Sequence, residues 1–126
     1  MANVGELVEK EVSGWAGVEV RRHRFGGVEF RVRGHEIGHL HGSRMADLPF
    51  PVRMRKELVA QGKAEPHHLL PQTGWVSYYP SGPESAPALV ELFRLNYEHL
   101  VERGKNKAEK AMPHLAPDEV QDGGSR

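Results

Sequence analysis

The sequence contains no cysteine, so neither a disulfide framework nor a thiolate metal or redox centre can belong to its working chemistry. Net charge is absent too: 17 Lys and Arg balance 17 Asp and Glu, which leaves no global field to draw in a phosphate backbone. Nucleic acid is therefore not an expected partner. Arg21, Arg31 and Arg33, and further on Arg53, Arg55 and Lys56, form locally basic stretches, but glutamates interleave both, as on an ordinary solvated face. No apolar run approaches the roughly 18 residues needed to span a bilayer, so no membrane partner is expected either. The opening MANVGELVEK has neither the basic start nor the apolar stretch of a secretion signal, and the expected location is cytoplasmic.

What is present suffices for one core. A chain of 126 residues with 38% hydrophobic side chains can close a single domain without staples. Histidine is over-supplied: there are eight, where about two or three would be ordinary. Five of the eight fall in two short segments, GHEIGHLHG and EPHHLL, which points to a use for them.

The order of elements follows from periodicity. Val4, Leu7, Val8 and Val12 recur at helical spacing and Ser13-Gly14 follows as a stop, predicting a helix over residues 3–13. VEVRRHRF, the turn signal Gly26-Gly27 and VEFRVR predict a β-hairpin, and a turn at Gly34-His35 leads into a third strand, EIGHLH, ended by Gly42. ADLPFP reads as a proline-punctuated loop before a helix at 51–61. EPHHLL and GWVSYY read as two short strands around a Pro71–Gly74 turn. Ser81 and Glu84 can form a capping box for a long helix over 84–103, with Leu89, Phe93, Tyr97, Leu100 and Val101 near one face. The expected architecture is an α+β domain over residues 1–104: one antiparallel sheet of about five strands, in the order α-β-β-β-α-β-β-α, with the helices packed on it. Residues 105–126 read as a disordered polar tail, apart from a frayed helical extension.

Register decides where the histidines point. A hairpin loop of Gly26-Gly27 alone would place Val18 and Val20 on one face with Arg31 and Arg33. A three-residue loop, Phe25-Gly26-Gly27, instead pairs Val20 with Val32 and Arg22 with Phe30 and is preferred. Carried across the next turn, this sets Ile37 opposite Val32, His39 opposite Phe30 and His41 opposite Val28, with both histidines on the apolar face. Two residues apart on one strand, their Cβ atoms stand roughly 6–7 Å apart. Arg22 and Arg24 border them as candidate partners for an anionic substrate. A lone histidine beside a core is more often simply hydrogen-bonded. Two on one face, with His67 or His68 brought in from a neighbouring strand, favour a site. His23, His35, His99 and His114 read as solvated.

His35-Glu36-Ile37-Gly38-His39 matches the HExxH pattern of zinc proteases, but that motif needs a helix to align both histidines, and this glycine-broken segment is too short to be one. A His-x-His strand is also the metal-binding pattern of cupins, where a following carboxylate and a later histidine complete the site. Asp47 is slightly late for that carboxylate. A divalent transition metal on His39, His41 and His67 is one reading of the segment; a metal-free site is the other.

The segment GHEIGHLHGSRMADLPFPVRMRKELVAQGKAEPHHLLPQTGWVSYYP followed by a helix resembles the luciferase-like domain family, small bacterial proteins and larger fungal ones that include the luciferase of bioluminescent fungi. The resemblance covers residues 17–103. It implies oxygenation of a hydroxypyranone by O2, with Glu36, His39, His41 and His67 at the matching positions. The loop Gly42–Phe50 departs from the fungal pattern, and the fungal proteins carry an N-terminal membrane anchor without counterpart here.

Read from the residues, an enolic or phenolic small molecule becomes reactive toward O2 once deprotonated, and a partly buried neutral histidine, His39 or His41, suits that task near neutral pH. The expected catalytic set is His39, His41, His67 and Glu36, with Arg22, Arg24, Phe30, Asp47 and Trp75 contacting the substrate in an apolar pocket. The other expectation is a non-catalytic module that binds a metal or small ligand with the same histidines.

Overall fold

Asn3 opens the first helix: its side-chain oxygen accepts the Glu6 amide at 2.9 Å while the Glu6 carboxylate accepts the Asn3 amide at 3.1 Å, a reciprocal cap. The helix, α1 (Val4–Ser13), buries Val4, Val8 and Val12 along one stripe, as their spacing predicts. The computed structural model describes residues 2–24 and 26–111. In them α1 is followed by β1 (Val18–Arg22), β2 (Gly27–Val32), β3 (His35–His41), β4 (Met45–Pro49), α2 (Val52–Ala60), β5 (Glu65–Pro66), β6 (Trp75–Tyr78), a 3-10 turn at Pro83–Ser85 and α3 (Ala86–Ala111).

The strands form one antiparallel sheet in the order β1-β2-β3-β4-β6-β5, so the fold is α+β as expected, with six strands where sequence reading counted about five. The added strand is β4, which the prolines of ADLPFP disguised as a loop. Pro49 stands at its last position, leaving Met45, Ala46, Asp47 and Leu48 to pair and bury in the middle of the sheet. EPHHLL is corrected in the opposite sense: only Glu65 and Pro66 pair, and the chain leaves the sheet at His67. The helices α1 and α3 pack on each other, and α3 also packs on β2, β3 and β4, while α2 lies beside β5 and β6. Between helices and sheet sit Phe30, Ile37, Leu48, Val76, Leu89, Leu92 and Phe93, all essentially inaccessible.

The registers change which face the histidines occupy. Val20 pairs with Phe30 and Arg22 with Val28, a shift of two residues from the expected alignment that keeps the same face inward. The turn into β3 is Arg33-Gly34, both at positive φ, the type I′ geometry that suits a two-residue hairpin, and it sets Val32 opposite His35. Had the ladder stayed regular, His39 would have faced inward opposite Val28. Instead the register slips between Phe30 and Arg31, so that Phe30 meets Gly38, Val28 meets Leu40, and His39 meets Glu29. This one-residue bulge moves His39 and His41 from the core face to the open face of the sheet. Phe25, the expected first residue of the β1–β2 loop, lies outside the described residues.

At the other end, α3 starts at Ala86, after the 3-10 turn in which the Ser81 hydroxyl donates to Glu84 at 2.8 Å, rather than at residue 84. It continues past Gly104 to Ala111, over the stretch where sequence reading allowed a frayed helical extension; residues 112–126, with His114, lie outside the described residues. Gly104 serves packing instead of termination. A Cβ there would stand 2.9 Å from Cδ of Arg33, so the missing side chain makes room for the β2–β3 turn. No described helix is long and apolar enough to cross a membrane.

Candidate functional site

Across the open face runs one unbroken cross-strand row, Arg21, Glu29, His39, Asp47, Ser77 and Glu65, each paired with the next. Asp47 sits at its centre with a side chain only 3% exposed. A carboxylate so placed must be satisfied by its neighbours. Its two oxygens are treated differently. Oδ1 accepts the Ser77 hydroxyl at 2.7 Å and has His67 Nε2 at 3.7 Å. Oδ2 faces three imidazole nitrogens: His41 Nε2 at 3.2 Å, His39 Nε2 at 3.4 Å and His68 Nε2 at 3.6 Å.

The surroundings fix where a proton sits on two of these rings. His39 Nδ1 lies 2.5 Å from Glu36 Oε2, so it is the N–H of the ring and donates to the carboxylate. In a regular strand, residues three apart face opposite ways; the bulge is what puts Glu36 and His39 on one face. His67 Nδ1 accepts the backbone amides of Leu69 and Leu70, each at 3.1 Å, so its proton must sit on Nε2. His39 and His41 meet edge to face at 4.8 Å, and His67 stacks on His68 at 4.3 Å. Trp75 touches both pairs, 5.7 Å from His39 and 5.8 Å from His67. Beside them, Leu69 and Leu70 are exposed, an apolar rim on an otherwise polar face.

Charge follows from these contacts. Hydrogen bonding to Asp47, and next to Glu36, outweighs burial and raises His39 to about 9, which favours its protonated form at neutral pH. Burial alone would push the Asp47 carboxyl up, but hydrogen bonds from His39 and Ser77 and the nearby imidazoles hold it far below the usual carboxylate range. Burial pushes His67 down against the pull of Asp47, in keeping with an Nδ1 that has no room for a proton.

The structure thus gathers His39, His41, His67, Asp47 and Trp75 in one place, with Glu36 on His39. Arg22 and Phe30 are not there, which corrects the expectation that they share a face with the histidines. Arg22 pairs with Glu9 of α1 on the helical side, and Phe30 is buried edge to face against Phe93. Arg24 is exposed in the β1–β2 turn. Ser77 belongs to the cluster and sequence reading missed it; of His67 and His68 it expected one or the other, and both are there. An adjacent His67-His68 pair on a strand would have pointed to opposite faces; only the departure of the chain from the sheet lets both reach Asp47. Away from the cluster, an open apolar groove of about 480 Å³ lies between α1 and the start of α3, lined by Leu7, Pro87 and Val90 among others.

Among known families, the model of the luciferase domain matches residues 34–96, half of the chain. The matched stretch contains every member of the cluster, from Glu36 to Ser77. No curated protein and no solved structure matches.

Proposed function

The chain belongs to the luciferase-domain family, and on that premise we propose that the imidazoles around Asp47 are the active site of an oxygenase-type enzyme for an enolic or phenolic small molecule. The observation that supports this reading is the convergence of four imidazoles on one buried carboxylate beside Trp75, Leu69 and Leu70. Such a place offers both halves of what the substrate needs: apolar surface for a planar ring and positive charge for its deprotonated oxygen.

The base must have an open ring nitrogen. His39 is held between Glu36 and Asp47, and the Nδ1 of His67 is occupied by two backbone amides. His41 and His68 each have only Nε2 turned to Asp47, and their second ring nitrogen makes no hydrogen bond among the described residues. His68 is the base in this reading, because it stands next to the exposed Leu69 and Leu70 where the substrate ring would lie. It takes the hydroxyl proton. The resulting enolate carbon bonds to O2, the substrate supplying both electrons, and the proton returns to the terminal oxygen of the hydroperoxide formed. The positive charge centred at His39 stabilises the enolate, a task the sequence assigned to Arg22 and Arg24.

Oxygen uptake with hydroxypyranones and catechol-like compounds tests this reading. Wild type consumes O2, and His68→Ala slows it by about 10²-fold or more, the usual size of a general-base contribution. Equal rates in wild type, His39→Ala, His41→Ala and His68→Ala would remove the site from the reaction. No uptake with any compound would leave a non-catalytic binding module.

A further inference from the structure

We propose that His39, His41 and Asp47 form a mononuclear centre for a divalent first-row transition metal ion. The distances carry the argument. The shortest hydrogen bonds in this cluster are 2.5 Å from His39 Nδ1 to Glu36 and 2.7 Å from Ser77 to Asp47, and the His41 hydrogen bond to Asp47 is longer. The imidazole nitrogens facing Asp47 Oδ2 stand back from it, at 3.2 Å for His41 and 3.4 Å for His39. A charge-assisted N–H···O bond would close to about 2.7–2.9 Å. Two ligand atoms sharing one ion at bonds of about 2.0–2.2 Å are held roughly 3.0 Å apart at octahedral angles and roughly 3.4 Å apart at tetrahedral ones. The two nitrogen-to-Oδ2 distances fall on the edges of such a polyhedron, and the ligand atoms of His39, His41 and Asp47 all lie within 4.8 Å of one another, close enough for one ion to draw them in.

Orientation agrees with distance. His39 gives its Nδ1–H to Glu36 and turns Nε2 toward Asp47, so that an incoming ion displaces the Nε2 proton of the imidazolium and meets the carboxylate-to-imidazole arrangement that aims a metal-bound histidine. Ser77 fixes Oδ1 of Asp47 and leaves Oδ2 to bind. His67 is not a ligand, although Asp47, His67 and His68 make a second group of metal-binding dimensions. Its Nδ1 accepts two backbone amides, so its Nε2 carries a hydrogen where a ligand needs a lone pair. This revises the set His39, His41 and His67 read from the sequence. Two imidazoles and one carboxylate on one face of a sheet, open on the solvent side, are the donor set of Fe(II), Co(II) or Zn(II) sites with free positions. The use of the ion rests on the function proposed above: it replaces the His39 imidazolium as the positive charge beside the enolate, and His68 stays free as the base.

Protein without a histidine tag, stripped by chelator, would be titrated anaerobically with Fe(II), Co(II) and Zn(II), with bound metal measured after gel filtration. One equivalent is expected. Glu36→Gln weakens binding by about 10–100-fold, as loss of an orienting carboxylate does, and His39→Ala, His41→Ala and Asp47→Asn weaken it further. His67→Asn, whose side-chain oxygen can accept the same amides, binds within a few-fold of wild type. Less than about a tenth of an equivalent of every ion in wild type would overturn the centre, and that measurement needs no variant to fold. Unchanged affinity in His41→Ala, a half-exposed position, would overturn it as well, and loss of metal in His67→Asn equal to that in His39→Ala would overturn the ligand set. The two proposals fail separately: metal bound without oxygen uptake removes the function, and oxygen uptake indifferent to the chelator removes the metal centre.

Discussion

Ser77 shows how much of the site is held by a residue that does no chemistry in it. Its hydroxyl is inaccessible and donates to Oδ1 of a carboxylate that is itself almost fully buried. Ser77→Ala removes a hydrogen bond to a charged group and puts a methyl group where Asp47 needs a donor. The expected loss is about 1.5–3 kcal/mol in urea unfolding, together with weaker metal binding as Oδ1 is released. A variant as stable as wild type would mean that His67 Nε2, now 3.7 Å away, moves in to replace the hydroxyl. At this scale the sequence was legible in part. His39 and His41 stand out by count and spacing, and His67 by its place in the second histidine segment. Asp47 was harder to place, because ADLPFP reads as a loop and a carboxylate in a loop has no register. Ser77 gave no signal at all: a serine in a strand acquires its role only from the partner that β4 brings opposite it.

Between elements, the bulge in β3 and the helix beneath it determine the face on which the cluster forms. Asn96 of α3, fully buried, donates from Nδ2 to the carbonyl of Ile37, the residue displaced by the bulge, at 2.9 Å and to that of Pro49 at the end of β4 at 3.0 Å. It ties the two strands that contribute His39, His41 and Asp47 to one point on the helix. Gly38 completes the contact: a Cβ there would lie 2.8 Å from Cγ of Leu48 and 2.9 Å from Cε1 of Phe93, both inaccessible side chains with nowhere to retreat. Gly38→Ala is therefore expected to cost about 1–3 kcal/mol by overpacking. Asn96→Ala should cost about 1–3 kcal/mol as well, by leaving buried carbonyls unpaired. Chemical denaturation checks both, and a neutral Gly38→Ala would show that α3 can stand off the sheet. The strands and the long helix were readable from alternation and helical spacing. The bulge was not. It arises from fitting Ile37 and Gly38 against α3 while Arg33 and Gly34 close a two-residue turn, a tertiary condition that no local pattern records, and every side chain beyond it changes face as a result.

For the molecule as a whole, the sheet separates two environments, with the apolar core under α1 and α3 on one side and the polar row on the other, so that a change on the helical side can alter stability and leave the site chemistry as it is. His99 offers a test from the helical side. It lies on α3, half-buried, where burial first and then the charges of Arg103 and of Arg53 from α2 push its pKa below the ordinary value near 6.5. As pH falls, the unfolded chain takes up this proton before the folded one does. The stability His99 contributes is therefore present above about pH 6.5 and is lost as pH drops through its lower folded value. His67 shifts in the same direction on the other face, so the wild-type slope alone cannot be assigned to one residue. The difference between wild type and His99→Gln can, since Gln fills similar space and does not titrate. Urea midpoints at about pH 7.5 and about pH 5.5 should show wild type losing more stability than the variant over that interval, while metal affinity at the higher pH is the same in both. Equal losses would place His99 in water rather than between α2 and α3, and a change in metal affinity would mean that the two faces of the sheet are coupled through α3 after all.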